Sequence, residues 1–188
     1  GVQTCALPIS FPIDFPDIAI FGKSIGNGYP ISAIIGRRDI METSQETFIS
    51  STMWTESLGF VAAKETLKKL KKLKINKKIS KNGIYLKNQL LKLAAKNKLK
   101  VSISGLNSII YLNFNYPNNP EILTFFTQEM LKKNFLTGGQ IFISFKHEKK
   151  IIDKYLKATN EIFNKIYFFI NKKKFSLEGE IKHTTFKR

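Results

Sequence analysis

Lys23 is set apart by its isolation. The chain holds 28 lysines among 188 residues, yet between Ser10 and Ala63 Lys23 is the sole lysine, and the other 27 all lie from Lys64 onward. In a chain that places lysine wherever water allows, a lysine-poor stretch reads as buried or as an interface. Lys23 follows the apolar run Ile18 to Phe21 and precedes the loop Ser24-Ile25-Gly26-Asn27-Gly28. A primary amine buried there is costly to keep charged unless its nucleophilicity toward carbonyl carbon is used. A lysine that carries its amine out to solvent from a strand end fits the same spacing.

The other candidate chemistries fail on spacing. Gly22-Lys23-Ser24 is the tail of a phosphate-binding loop, but that motif needs a glycine where Asp17 stands, and Pro30 with Gly26 and Gly28 denies the helix that must follow. Gly26-Asn27-Gly28 completes no dinucleotide fingerprint. His147 and His183 lack cysteine or carboxylate companions at metal spacing, so a surface or capping role is expected and no metal. Cys5 is the one cysteine. Back-translated, residues 1–9 spell the end of a common sequencing-adapter oligonucleotide, so they are expected to be an artefact outside the fold.

The elements around Lys23 follow from hydrophobic pattern. Phe15-Pro16-Asp17 reads as a turn, Ile18 to Phe21 as a short strand, Gly22 to Pro30 as a glycine-rich loop and Ile31 to Gly36 as a second strand. Both strands are apolar without alternation, which suits a sheet covered on both faces. Ser57 to about Ile75 is expected to be helical, with Leu67, Leu70 and Leu73 on one face, and a second helix runs from about Lys78 to Asn97. Strands near Lys100 to Ser104 and Ser108 to Asn113 follow, then a turn at Pro117-Asn118-Asn119. Asn119-Pro120-Glu121 starts a helix as cap, first-turn proline and acidic residue, and that helix ends near Asn134. A strand at Ile141 to Phe145 and a long helix from Glu148 to Ile170 complete the order, with a domain boundary expected between residues 64 and 78. Mixed helices and strands of this kind indicate a small α+β domain following the end of an α/β one.

Composition limits the partners. A content of 43% hydrophobic and 12% aromatic residues over 188 positions can bury a real core. The formal charge of +17 invites a nucleic-acid or polyanion partner, and the nine lysines from Lys64 to Lys81 an anionic membrane. Arginine, the better fork for bases and phosphates, numbers only three. Lys, Ile, Asn and Phe together make 83 of the 188 residues, all with A/T-rich codons, so codon bias accounts for the lysines without such a partner. The stretch from Lys64 to Lys81 also lacks the aromatic interleaving of a single-strand binder. No apolar run approaches the roughly 18 residues that a spanning helix needs. A cytoplasmic protein binding neither nucleic acid nor membrane is expected, with a basic polyanion-binding module as the alternative from another class.

Two segments carry a resemblance. Pro16-Asp17-Ile18-Ala19-Ile20-Phe21-Gly22-Lys23-Ser24-Ile25-Gly26-Asn27-Gly28-Tyr29-Pro30 resembles the cofactor-lysine segment of class III pyridoxal-phosphate aminotransferases, the group that contains glutamate-1-semialdehyde 2,1-aminomutase. Phe48-Ile49-Ser50-Ser51-Thr52-Met53-Trp54-Thr55-Glu56-Ser57 resembles the segment about thirty residues later, whose threonine reaches the cofactor phosphate of the neighbouring subunit. Phe126 to Leu131 and Ile143 to His147 are similar to that family's carboxy-terminal domain, so the likeness covers nearly everything from Phe15 onward.

The resemblance implies an α/β fold: residues 10–70 as the end of a fold-type I large domain that binds pyridoxal 5′-phosphate, residues 71–188 as a small α+β carboxy-terminal domain. It implies Lys23 as the Schiff-base lysine and general acid/base, with Thr52 and, beside it, Ser51 binding the cofactor phosphate. It further implies a homodimer with a composite active site, acting on a small-molecule amino donor and acceptor, or shifting an amino group within one molecule as the aminomutase does. Thr55-Glu56-Ser57 departs from the Gly-Asn-Pro of many relatives and leaves the substrate open. The aspartate for the pyridine nitrogen, the aromatic that stacks on the ring and a glycine-rich phosphate loop belong to an upstream half that this sequence lacks.

Overall fold

The computed structural model describes residues 16–50, 52, 55–172 and 175–182. Expectations placed on residues 1–9, including Cys5, and on Ser51 and His183 lie outside the described residues. The chain divides into two compact units, residues 1–76 and 77–188.

In the first unit, β1 (Ile18–Phe21) and β2 (Ala33–Gly36) pair antiparallel, with Ile18 opposite Gly36 and Phe21 opposite Ala33. Isoleucine-rich runs suit a pleated surface. Between the strands lies a 3-10 turn, Lys23–Ile25. Arg37 fastens the open end: its backbone N–H donates to the Asp17 carbonyl at 2.9 Å, and its guanidinium pairs with Asp39 at 2.6 Å and Asp17 at 3.1 Å. The hydrogen bonds it donates to Asp39 and then to Asp17 push the guanidinium pKa further up, although exposed pairs of this kind add little stability. A short helix α1 (Arg38–Glu42) and the longer α2 (Leu58–Lys72) complete the unit.

The expected sheet covered on both faces does not form. Ile18, Ile20, Ile34 and Ile35 are 45% to 61% exposed, because the described residues of this unit form a two-stranded ribbon with no layer over these side chains. Such a ribbon is marginal in water by itself; Ile18, Ile20 and Ile34 share one face and Ile35 lies on the other, so apolar surface is exposed on both. The helix after Ser57 also stops short of Ile75. Lys74 takes a left-handed φ of 47° and donates its N–H to the Lys71 carbonyl, so the chain turns before α3 (Ile75–Lys96) begins.

In the second unit, β3 (Val101–Gly105), β4 (Ile109–Phe114) and β5 (Gln140–Phe142) form an antiparallel sheet in that order. Period-2 alternation turns Ile110, Leu112 and Phe114 of β4 inward, all at most 1% exposed. Against them pack Leu86 and Leu90 of α3, Ile122, Phe126 and Met130 of α4 (Asn119–Leu131), and Ile162, Phe163 and Ile166 of α5 (Lys149–Lys172). The rings of Phe114, Phe126 and Phe163 meet at centroid distances of 5.7 to 6.1 Å. Each such pair adds about 0.5–1.5 kcal/mol beyond the burial of its area.

Pro120 sits in the first turn of α4 as expected, but Asn119 does not cap that helix. Its side-chain oxygen accepts the Phe114 N–H at 3.0 Å and ties α4 to the end of β4. Beyond α5 the chain runs back along α4, where the Gln128 amide donates to the Ser176 carbonyl and accepts the Glu178 N–H. Among the described residues no helix is long and apolar enough to cross a membrane.

Candidate cofactor-lysine site

Lys23 is exposed and stands where β1 gives way to the 3-10 turn. The expectation of a buried amine is therefore not met among the described residues. Gly22 before it is extended, whereas Lys23 itself has a left-handed φ of 51°. Its carbonyl accepts the Gly26 N–H at 3.2 Å, and the Gly22 carbonyl accepts the Ile25 N–H at 3.3 Å. The turn continues through Asn27 at φ 46° and Gly28 at φ 109° to Tyr29, whose N–H returns to the Gly26 carbonyl at 3.1 Å.

Packing fixes this loop more firmly than these long hydrogen bonds do. Gly26 is buried, and the space a side chain would need is filled by the Tyr29 carbonyl and by Ile31 Cγ2, 2.7 Å from where its Cβ would lie. From the other side α2 brings Gly59, whose Cβ would lie 3.0 Å from the Pro30 carbonyl oxygen and 3.1 Å from Ile31 Cβ. Neither close approach was legible in the glycine pattern, which showed turn-formers without showing what presses on them.

Thr52 is exposed and lies in a turn ahead of α2. The helix start offers an anion less than expected. Glu56 places its own carboxylate on the Leu58 N–H at 2.9 Å, so one of the free donors of α2 is already satisfied. Ser51, the other expected phosphate contact, lies outside the described residues. The donor set nonetheless suits pyridoxal 5′-phosphate: an accessible primary amine can take its aldehyde, and an exposed hydroxyl can take its phosphate.

His147 serves as structure. Its Nδ1 accepts the Ser144 N–H at 3.2 Å and its carbonyl accepts from Asn82, which fixes the chain entering α5. Among the described residues no three His, Cys, Asp or Glu side chains gather as a metal site.

A strand ending in a lysine-bearing turn, a helix closing on that turn and a separate antiparallel α+β unit define a part of a fold-type I transferase. The class-III aminotransferase model matches residues 11–166, and the chain belongs to that family. The glutamate-1-semialdehyde 2,1-aminomutase of Methanocaldococcus jannaschii is 28% identical over 165 residues, covering 79% of this chain and 38% of that protein. The corresponding protein of Methanothrix thermoacetophila is 33% identical over 158 residues, covering 76% and 37%. Among solved structures, the FumI protein of Sphingopyxis sp. MTA144 in its PLP internal aldimine form superposes with a TM-score of 0.76 at 22% identity, over 87% of this chain and 39% of that one. The chain thus spans about two fifths of the length of the curated relatives it matches. Pyridoxal 5′-phosphate is the cofactor of the family, and its members act on small molecules.

Proposed function

We propose that this chain is the carboxy-terminal part of a cytoplasmic, homodimeric enzyme that transfers an amino group with pyridoxal 5′-phosphate. The observation that carries the reading is Lys23: the sole lysine between Ser10 and Ala63, exposed on a tightly packed turn inside the family match. In this reading Lys23 holds the cofactor and moves the proton at its Nζ. Thr52, with Ser51 beside it, hydrogen-bonds the cofactor phosphate of the partner subunit. When bound, the cofactor supplies an electron sink that makes a substrate C–H bond acidic. The chain's own part is to bind, to orient and to carry protons.

Intramolecular amino shift, the aminomutase reaction, is the second reading. It is favoured by the names of the relatives in Methanocaldococcus and Methanothrix, whereas a relative in Cloacimonas acidaminovorans, 30% identical over 100 residues, is named 3-aminobutyryl-CoA aminotransferase. The experiment is Lys23→Ala in the full-length protein, expected to abolish turnover while leaving weak non-covalent cofactor binding. Normal turnover by that variant contradicts the proposal. Supplying an external keto-acid acceptor then separates the readings, since a transaminase requires it and an aminomutase does not.

A further inference from the structure

Five non-glycine residues among those described have a positive φ: Lys23, Asn27, Lys74, Lys98 and Asn134. Lys74, Lys98 and Asn134 each stand just past a helix, and their N–H groups return to the carbonyls of Lys71, Ala95 and Leu131, so the helix ends account for them. Asn27 is of a type that tolerates the left-handed region. Lys23 has neither explanation. It follows a strand, and its conformation costs about 1–2 kcal/mol that glycine would avoid. A strained residue persists only where its surroundings over-determine it, and a lysine standing where glycine would cost less points to a use for its side chain.

The surroundings that over-determine it form a short chain of contacts. Gly59 of α2 lets that helix close on Pro30 and Ile31, Ile31 presses its Cγ2 into the space over Gly26, and Gly26 donates its N–H to the Lys23 carbonyl. We propose that Gly26 and Gly59 are positioning residues for Lys23: by having no side chain they let α2 clamp the turn in the one conformation that presents its amine. This rests on the reading of Lys23 as the cofactor lysine. The step concerned is addition of the Lys23 amine to the aldehyde carbon of pyridoxal 5′-phosphate, with loss of water as the C=N bond forms.

The test uses the full-length apoprotein. Pyridoxal 5′-phosphate is added, aliquots are reduced with borohydride at fixed times, and the pyridoxyl group on the Lys23 peptide is quantified alongside the melting temperature. Gly59→Ala, where the neighbours must yield only a few tenths of an ångström, is expected to stay folded. Capture should slow on the order of tenfold or more, since misplacement of about 1 Å costs up to about 100-fold, and kcat should fall with KM unchanged. Gly26→Ala should show the larger loss. Ile31→Ala loosens the same clamp without overpacking it; it too must slow capture, and it decides the matter if Gly59→Ala fails to fold. A folded Gly59→Ala or Ile31→Ala protein that captures at the parent rate overturns the inference. Label retained at the parent level in Lys23→Ala overturns instead the assignment of Lys23 itself.

Discussion

Glu129 shows how much one side chain can settle that composition hides. Burial on α4 pushes its pKa up, but hydrogen bonds from Lys165 at 2.6 Å and Lys132 at 2.9 Å, with Gln128 adding to them, outweigh burial and bring it down to about 2 from 4.5. A depressed carboxylate stabilises the fold above its unfolded pKa, and that contribution is lost as pH falls from 4.5 toward 2. Because both lysines are about half exposed, solvent screening holds that contribution to on the order of 1–2 kcal/mol. Glu129→Gln should lower stability at pH 7 by that amount and flatten the acid limb of the stability curve; an unchanged limb contradicts it. Thr52 makes the opposite case. It lies ahead of α2 and does not cap it, so Thr52→Ala should weaken pyridoxal 5′-phosphate binding by about 1.5–3 kcal/mol with little change in melting temperature. A lowered melting temperature with unchanged cofactor affinity counts against the phosphate role.

At the scale of elements, Gly83 is decided by a loop. Alanine within a helix ordinarily gains about 1 kcal/mol over glycine, but here the added Cβ would collide with the backbone of Asn107, its carbonyl carbon 2.6 Å away. Backbone cannot swing aside, so the collision wins. Gly83→Ala should destabilise by about 1–3 kcal/mol, read by denaturant midpoint. Lys98 offers the converse. It occupies the left-handed position after α3, where its N–H bonds to the Ala95 carbonyl and that of Leu99 to the Ala94 carbonyl, so Lys98→Gly should stabilise by about 0.5–1 kcal/mol.

These positions also explain what the sequence could and could not announce. The strand at Ile18–Phe21 and the helix beginning at Asn119 were legible, because an apolar run and an Asn-Pro-Glu start are local signals. The break at Lys74 was not, since lysine stands where glycine ordinarily marks a helix end. The five residues of α1 are too few to show periodicity. For the site we propose, Lys23 and Thr52 came from isolation and resemblance, whereas the close approaches at Gly26 and Gly59 depend on which backbone comes near.

At the scale of the whole molecule, the isoleucine face of the β1–β2 ribbon and the 38% share of the Methanocaldococcus relative point the same way. The catalytic unit we propose is larger than these 188 residues. The chain by itself should show no transaminase turnover, and joining it to its upstream half should restore turnover; activity of the chain alone contradicts the account. The lysine-rich surface belongs to this scale too: codon bias accounts for it, so little salt-dependent affinity for DNA or RNA is expected, and a strong, salt-suppressed affinity would point to a polyanion partner instead.

Of the 28 lysines, Lys23 alone is proposed to carry cofactor chemistry. The most direct measurement is borohydride reduction of the full-length holoprotein followed by peptide mapping. Pyridoxyl is expected on a single peptide, the one containing Lys23, and label on a peptide from Lys64 onward would contradict the assignment.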